Sequence, residues 1–481
     1  MIHNYVEIFW PSGPEKYSIR ALPFQNHQSK PRLRCPPDFS RALSFDSSIE
    51  NTTITVDLDD HDKYFEKKLE NEQILGKKIQ YCTFQEEILF TGWVASPPKS
   101  ENKIFKLKAD IFTPLKAPIN KALKQDDYQD IPTGNSGKYS NIILGNETEG
   151  WYTARRIDDN TFHAAWNPLS DITKVQNENQ EDILSEINLT IQDDISYIEY
   201  TSGDNYIYFS AKGPENQGNL IENPIEMFEY LIKNFTGLEI EDLTEMIELY
   251  ENRNYSGNLL FITDKVNIEE LFKTFSQSYH AKPILTRAGK VNVKSIRWGN
   301  QTPTKTIQPS KIKGCQKWKE VEYCKNAWTR RYSFDPKSGS YIYTPQDLEA
   351  TTDWSNQIGE LNQKFLISDR VSYDVGLRDK FLRENPLLFY SFQIPLKDIQ
   401  EVDLGDVIEF KHRDSYHPDE YRMIQVLREK SQKKSSFIFL EGYDISGIQK
   451  KTFTVYSEGD PRNPWVYEEG NPENPLAWFQ Y

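Results

Sequence analysis

Apolar and polar residues alternate in two widely separated stretches of the chain. In the first, residues 54–58, 78–81, 88–94 and 104–112 are short runs rich in Ile, Val, Phe and Tyr, with turn residues between them. In the second, residues 404–410, 422–427 and 436–444 repeat the design near the far end. Alternation with period two predicts strands with one buried face, and regular spacing with intervening turns predicts small antiparallel barrels or sandwiches. Ser96-Pro97-Pro98-Lys99-Ser100 is expected to turn one strand into the next. Residues 23–41, rich in Pro, Arg and Ser, read as a long loop, and residues 63–75 as a short helix or a crossing loop.

The period changes after the Gly- and Pro-containing boundary at residues 213–218. Ile225, Phe228, Leu231, Ile232 and Phe235 follow at helical spacing. Asn223 is placed to cap that helix and Pro224 to open it, with the end at Gly237. Residues 267–275 predict a second helix, 255–262 a strand between the two, and 282–294 a hairpin turning at Gly289. Farther on, residues 326–334 and 339–343 read as strands and residues 355–365 as a helix. The fold class expected is therefore mainly β with a small α/β part. Two tube-like antiparallel β-barrels carry inserted domains. The divisions expected are 1–120 for part of a first barrel, 121–215 for a β-rich insertion and 216–300 for the α/β part. A second barrel follows at 301–447, and an extended Pro- and aromatic-rich arm at 448–481.

Composition sharpens this picture. Hydrophobic residues make up 37% of the 481 residues, yet aromatics reach 13%, so the strand cores rest on Tyr, Phe and Trp. A net charge of -15 argues against a protein built to grip nucleic acid, which needs clustered Lys and Arg. No apolar run is long enough for a membrane-spanning segment, and the N-terminus lacks the pattern of a signal peptide. Cys35, Cys82, Cys315 and Cys324 are too few and scattered for a disulfide framework and lack zinc spacing.

Templates for catalysis are missing. His3, His27, His61, His163, His280, His412 and His417 form no metal-binding pair and read as solvated loop residues. There is no nucleophile elbow, and Gly213 and Gly218 are not followed by the Lys-Ser/Thr of a phosphate loop. The acidic clusters Asp57, Asp59, Asp60 and Glu239, Glu241, Asp242 read as solvated faces. The expectation is a protein that is not an enzyme and needs no cofactor or metal. A carbohydrate-binding or glycan-hydrolysing β-protein is the alternative, for which Trp151, Trp166, Trp298, Trp318 and Trp328 would have to line a cleft.

Several stretches together resemble the hub proteins of long-tailed bacteriophages. These are residues 54–56 through Leu89-Phe-Thr-Gly-Trp-Val94 to 105–112, then Gly137-Lys-Tyr-Ser-Asn-Ile-Ile-Leu-Gly145 after Ile131-Pro132. The helix–strand–helix–hairpin of 224–294 and the closing run from Leu404-Gly-Asp-Val-Ile408 to Asp444 complete the set. The resemblance implies a virion tail protein, assembled in the host cytoplasm, that forms a homotrimer. Each subunit would resemble two tail-tube protomers, giving a pseudo-sixfold ring. Its partners would be distal-tail or tail-tube ring proteins and a tail fibre or tip protein, with DNA only in passage. A distal-tail ring protein is a further alternative. The acidic insertion at 147–205 departs from the pattern, and no lysozyme or peptidase domain follows. DNA sliding through the ring favours an inner wall with few basic residues.

The last stretch holds an internal repeat. Tyr456-Ser-Glu-Gly-Asp-Pro-Arg-Asn-Pro-Trp465 is answered by Tyr467-Glu-Glu-Gly-Asn-Pro-Glu-Asn-Pro-Leu476. Its prolines disfavour helix and central strand. Tyr456, Trp465, Tyr467, Trp478, Phe479 and Tyr481 are candidate interaction anchors of an arm that packs on another chain.

Overall fold

The computed structural model describes residues 4–446 apart from 24–28, 44–48, 84, 147–149, 252–257, 280, 296–301, 351–353, 400, 416–417 and 432–436. The first run of alternating residues forms antiparallel strands in the spatial order Gly13–Ser18, Asn4–Trp10, Lys78–Thr83, Ile88–Val94, Ile104–Asp110, Ile49–Asp59. Residues 30–34 close the circle. Lys30 N donates to Lys16 O (2.8 Å) and Leu33 N to Ser18 O (2.9 Å) on one side. Arg34 N donates to Asp57 O (3.1 Å), and Asp59 N to Arg32 O (2.7 Å), on the other. These bonds pair backbone groups on both sides of residues 30–34.

The barrel is plugged rather than hollow. Helix Tyr64–Leu69 drops Phe65 into its mouth, stacked on Phe105 at 4.6 Å between ring centroids and 5.3 Å from Tyr17. Asp60, expected on a solvated face, is buried and accepts a hydrogen bond from Phe65 N (2.8 Å), which fixes the entry of that helix. Beside it, burial alone would raise the Glu15 carboxyl. Hydrogen bonds from Tyr17, Lys30, Lys68 and Tyr64 instead hold it down at about 2.

The second run forms antiparallel neighbours in the order Arg422–Ser431, Phe437–Asp444, Leu387–Pro395, Lys313–Glu320, with Val407–Phe410 also on Arg422–Ser431. Lys305–Ile307 lies parallel to Val407–Phe410. The two runs are not separate bodies. Strand Asp38–Leu43 pairs with Ile49–Asp59 on one edge and with Arg422–Ser431 on the other, so all belong to one 14-stranded sheet. That strand lies where the sequence predicts loop. The prolines at 36–37 mask a short alternating segment that begins immediately after them.

Between the two runs lie further strands and helices. The acidic stretch without a sequence pattern is part of a six-stranded antiparallel sheet, ordered Asp171–Gln176, Tyr206–Lys212, Tyr152–Arg156, Thr161–Ala165, Ile195–Glu199, Asn188–Gln192. Helix Pro224–Phe235 is capped as predicted, with Asn223 Oδ1 accepting from Ile225 N at 2.9 Å. It packs through Phe228 on Phe272 and Phe275 of helix Ile268–Tyr279. An unforeseen acidic helix, Thr244–Glu251, buries only Met246 and Tyr250.

The helix expected at 355–365 is a strand, Ile358–Gln363, running parallel to Ala327–Asp335. Its even-numbered residues Ile358 and Glu360 face out while Gly359, Leu361 and Gln363 face in, which is period two. The helix lies later, at Asp369–Arg383, where its buried side includes ion-paired groups. Arg378 meets Asp374 at 2.9 Å and Asp379 meets Arg383 at 3.0 Å, while Asp379 accepts from Trp328 Nε1 at 2.7 Å. A helix that buries paired charges shows little apolar periodicity.

Candidate functional site

The seam between the two halves of the large sheet holds a buried, densely paired polar cluster. In register, Arg41 stands opposite Glu429, between Ser40–Lys430 and Ala42–Arg428. Both side chains point to the buried face, where they are 2% and 1% exposed. Arg41 Nη1 meets Glu429 Oε1 at 2.8 Å, and Arg41 Nη2 meets Asp403 Oδ1 at 2.7 Å and donates to Leu285 O at 2.7 Å. Arg287 pairs with the other Glu429 oxygen. Its Nη1 donates to Ile399 O (2.9 Å) and its backbone N–H to Asp403 Oδ2 (3.0 Å). Burial would raise the Asp403 carboxyl, but Arg41 and Arg287 outweigh it and hold the group below its ordinary value.

Arg287 comes from the tip of the α/β hairpin, so the cluster ties together the two sheet halves and the inserted part. The tip is seated by Thr91 of the first barrel, whose Oγ1 donates to Arg287 O at 2.7 Å. Gly289 follows at φ 77, and a Cβ there would lie 2.8 Å from Thr91 Cγ2. Left-handed backbone and close approach both demand glycine. The sequence marks Gly289 as the hairpin's turn but does not single out Arg41, Arg287, Asp403 or Glu429. Arg41 and Glu429 are charged at inward positions, which breaks the alternation that would have flagged them.

The opposite face of the sheet is open to solvent and runs unbroken across the seam. Register places Lys108, Thr55 and Asp38 in one row. Thr53, Ser40, Lys430, Phe439, Gln393 and Lys313 form another. Lys106 stands opposite Asp57, and Arg428 pairs with Glu441 at 3.2 Å. On this face cations alternate with carboxylates, Thr and Ser. Lys313–Glu320 ends the sheet and has no strand on its outer edge among the described residues. Its exposed Lys313, Lys317 and Lys319 discourage indiscriminate edge pairing.

Among the described residues, Trp151, Trp166, Trp318 and Trp328 do not gather in one cleft. Trp328 is fully buried, Trp318 stacks on Phe389 at 5.5 Å, and Trp151 donates its backbone N–H to Asp335. Trp166 borders a separate cavity, and Trp298 lies outside the described residues. His163 is not a solvated loop residue. It sits fully buried on strand Thr161–Ala165, with Nδ1 2.7 Å from Ser140 Oγ, and burial pulls its pKa down to about 3. Glu241 accepts from Asn292 Nδ2 (2.7 Å) and Asp242 from Thr244 N (2.9 Å), structural roles within the α/β part. Among the described residues no group of three or more His, Cys, Asp or Glu is placed to hold a metal ion, and no helix is long and apolar enough to cross a membrane. The arm residues Tyr456, Trp465, Tyr467, Trp478, Phe479 and Tyr481 lie outside the described residues.

No protein-family model matches the sequence, and no curated protein matches it. Solved structures do resemble the chain. The tail protein from Neisseria meningitidis MC58 is 8% identical, aligned over 92% of this chain and 97% of its own, with a TM-score of 0.44. The 43 kDa tail protein of prophage MuSo2 from Shewanella oneidensis is 7% identical over 93% and 99%, also at 0.44. Prophage tail protein gp18 from Listeria monocytogenes EGD-e is 10% identical over 92% and 94%, at 0.40. All three are tail proteins, two of them of prophages.

Proposed function

We propose that the chain is a structural tail hub. Three copies form a pseudo-sixfold ring that joins the tail tube to the tail tip or fibre and lets DNA pass. The observation that carries this reading is the single sheet in which two β units of one chain are joined strand to strand through Asp38–Leu43 and Arg422–Ser431. A chain that already holds two ring segments needs only three copies to match a sixfold tube. The outer edge of Lys313–Glu320 is where the next copy adds its strand. The unbroken solvent face then lines the channel. Its cations are interleaved with Asp38, Asp57 and Glu441, which limits how many phosphates it holds at once.

In this reading the protein acts by assembly and not by catalysis. Assays against peptidoglycan and lipopolysaccharide glycans are expected to show no turnover above background; turnover abolished by a single Asp or Glu substitution would overturn that. Its partners are sister copies, distal-tail or tail-tube ring proteins and the fibre or tip, in a virion tail assembled in the host cytoplasm. The arm beyond residue 450 packs on another chain through Tyr456, Trp465, Tyr467, Trp478, Phe479 and Tyr481. Deleting residues 456–481 is expected to leave the melting curve of the sheet unchanged while sharply lowering incorporation into tails. Normal incorporation with the fibre attached would show the arm to be dispensable.

A further inference from the structure

We infer that the cavity between the six-stranded sheet and helix Pro224–Phe235 is a binding site for a neutral saccharide. This inference stands independently of the hub reading. The cavity has a volume of about 310 Å³, at the lower end of the roughly 300–1,000 Å³ typical of small-molecule sites and suited to a mono- or disaccharide. It is lined by Trp166, Tyr230 and Phe235, together with Asp193, Asp194 and Asn234. These are two chemistries on one small surface. Aromatic rings offer a negative face to the weakly positive C–H bonds of a pyranose. Carboxylates and a carboxamide offer acceptors and donors to its hydroxyls.

The fold holds these groups in place. Asp193 and Asp194 form the two-residue turn joining Asn188–Gln192 to Ile195–Glu199, both with left-handed backbone (φ 52 and 61). That turn sets both exposed carboxylates at the rim. Trp166 is fixed by its Nε1, which donates to Lys121 O at 3.0 Å, and by edge-on packing on buried His163 at 4.3 Å. Tyr230 and Phe235 project from a single capped helix, with ring centroids 6.4 Å apart. A platform fixed on rigid elements binds without paying for its own ordering. Asp193 and Asp194 against the single cation of Lys121 leave the lining net negative, which disfavours acidic sugars relative to neutral ones.

Saturation-transfer difference NMR on the full chain tests this with a panel of neutral hexoses, 6-deoxyhexoses and N-acetylhexosamines, each as mono- and disaccharide, and uronic acids for comparison. Transfer to at least one neutral sugar is expected. Asn234→Trp, at an exposed helical position, fills the cavity and should weaken binding at least about tenfold. Trp166→Ala should do the same, with its melting curve recorded because Trp166 also packs on His163. Trp318→Phe, on the distant sheet, should leave binding unchanged. No transfer from any neutral sugar, equal transfer in Asn234→Trp, or transfer to uronic acids alone would each overturn the inference. Tail incorporation of Asn234→Trp reads the hub reading separately, and is expected to be normal.

Discussion

Glu429→Ala is expected to cost about 3–5 kcal/mol, the range for removing one partner of a buried ion pair. The substitution leaves Arg41 and Arg287 facing each other across the seam, with Asp403 their remaining carboxylate. Two guanidiniums then share one counter-ion away from water, so the loss exceeds that of a cavity of equal size. Because several parts of the chain meet here, unfolding is expected to split into more than one calorimetric transition, with the first moved down. Arg41→Met with Glu429→Leu removes the main charge pair and should recover part of the loss. Equal melting of Glu429→Ala and the native chain would show that the cluster does not hold the seam.

The same cluster predicts a pH dependence. The Asp403 carboxyl is held below its unfolded value, so its contribution is present above the unfolded carboxylate pKa and is lost as pH falls through the lower folded value. The seam is therefore expected to loosen on acidification, as is the plug of the first barrel, where Glu15 is likewise held low. Tryptophan fluorescence and calorimetry recorded together across an acid titration would separate the two.

Lys319→Pro is expected to have the largest effect on assembly. Proline removes a backbone donor and obstructs an approaching strand. The residue lies near the end of the edge strand, opposite Leu388, so the sheet loses at most one ladder bond. The monomer should remain folded while self-association weakens by at least about tenfold. Sedimentation at several concentrations reads this directly. An unaltered association constant would place the contact between copies elsewhere.

Much of the architecture is written in period two. Ile54, Val56 and Leu58, or Ile104 to Asp110, show their buried face in the sequence because every second side chain enters an apolar core. The capped helix at Pro224–Phe235 was legible for a similar reason: its caps and its stripe are both local. What was not legible is pairing between distant segments. Nothing in residues 38–43 announces that Ser40 lies against Lys430. The inward-facing Arg41, Glu429 and Asp403 read as surface residues until the partners that neutralise them are brought together. Helix Asp369–Arg383 was missed because its buried side carries paired charges, and His163 because a lone histidine gives no sign of the strand that buries it. The cavity beside Trp166 joins residues from four separate segments, and spacing along the chain does not encode that meeting.

In the proposed assembly, three copies of this chain close a ring. Sedimentation velocity of the full-length protein across a wide concentration range tests it most directly. A species of three times the 56.3 kDa chain mass, growing with concentration at the expense of monomer, is the predicted result. A monomer or dimer at every concentration would contradict it.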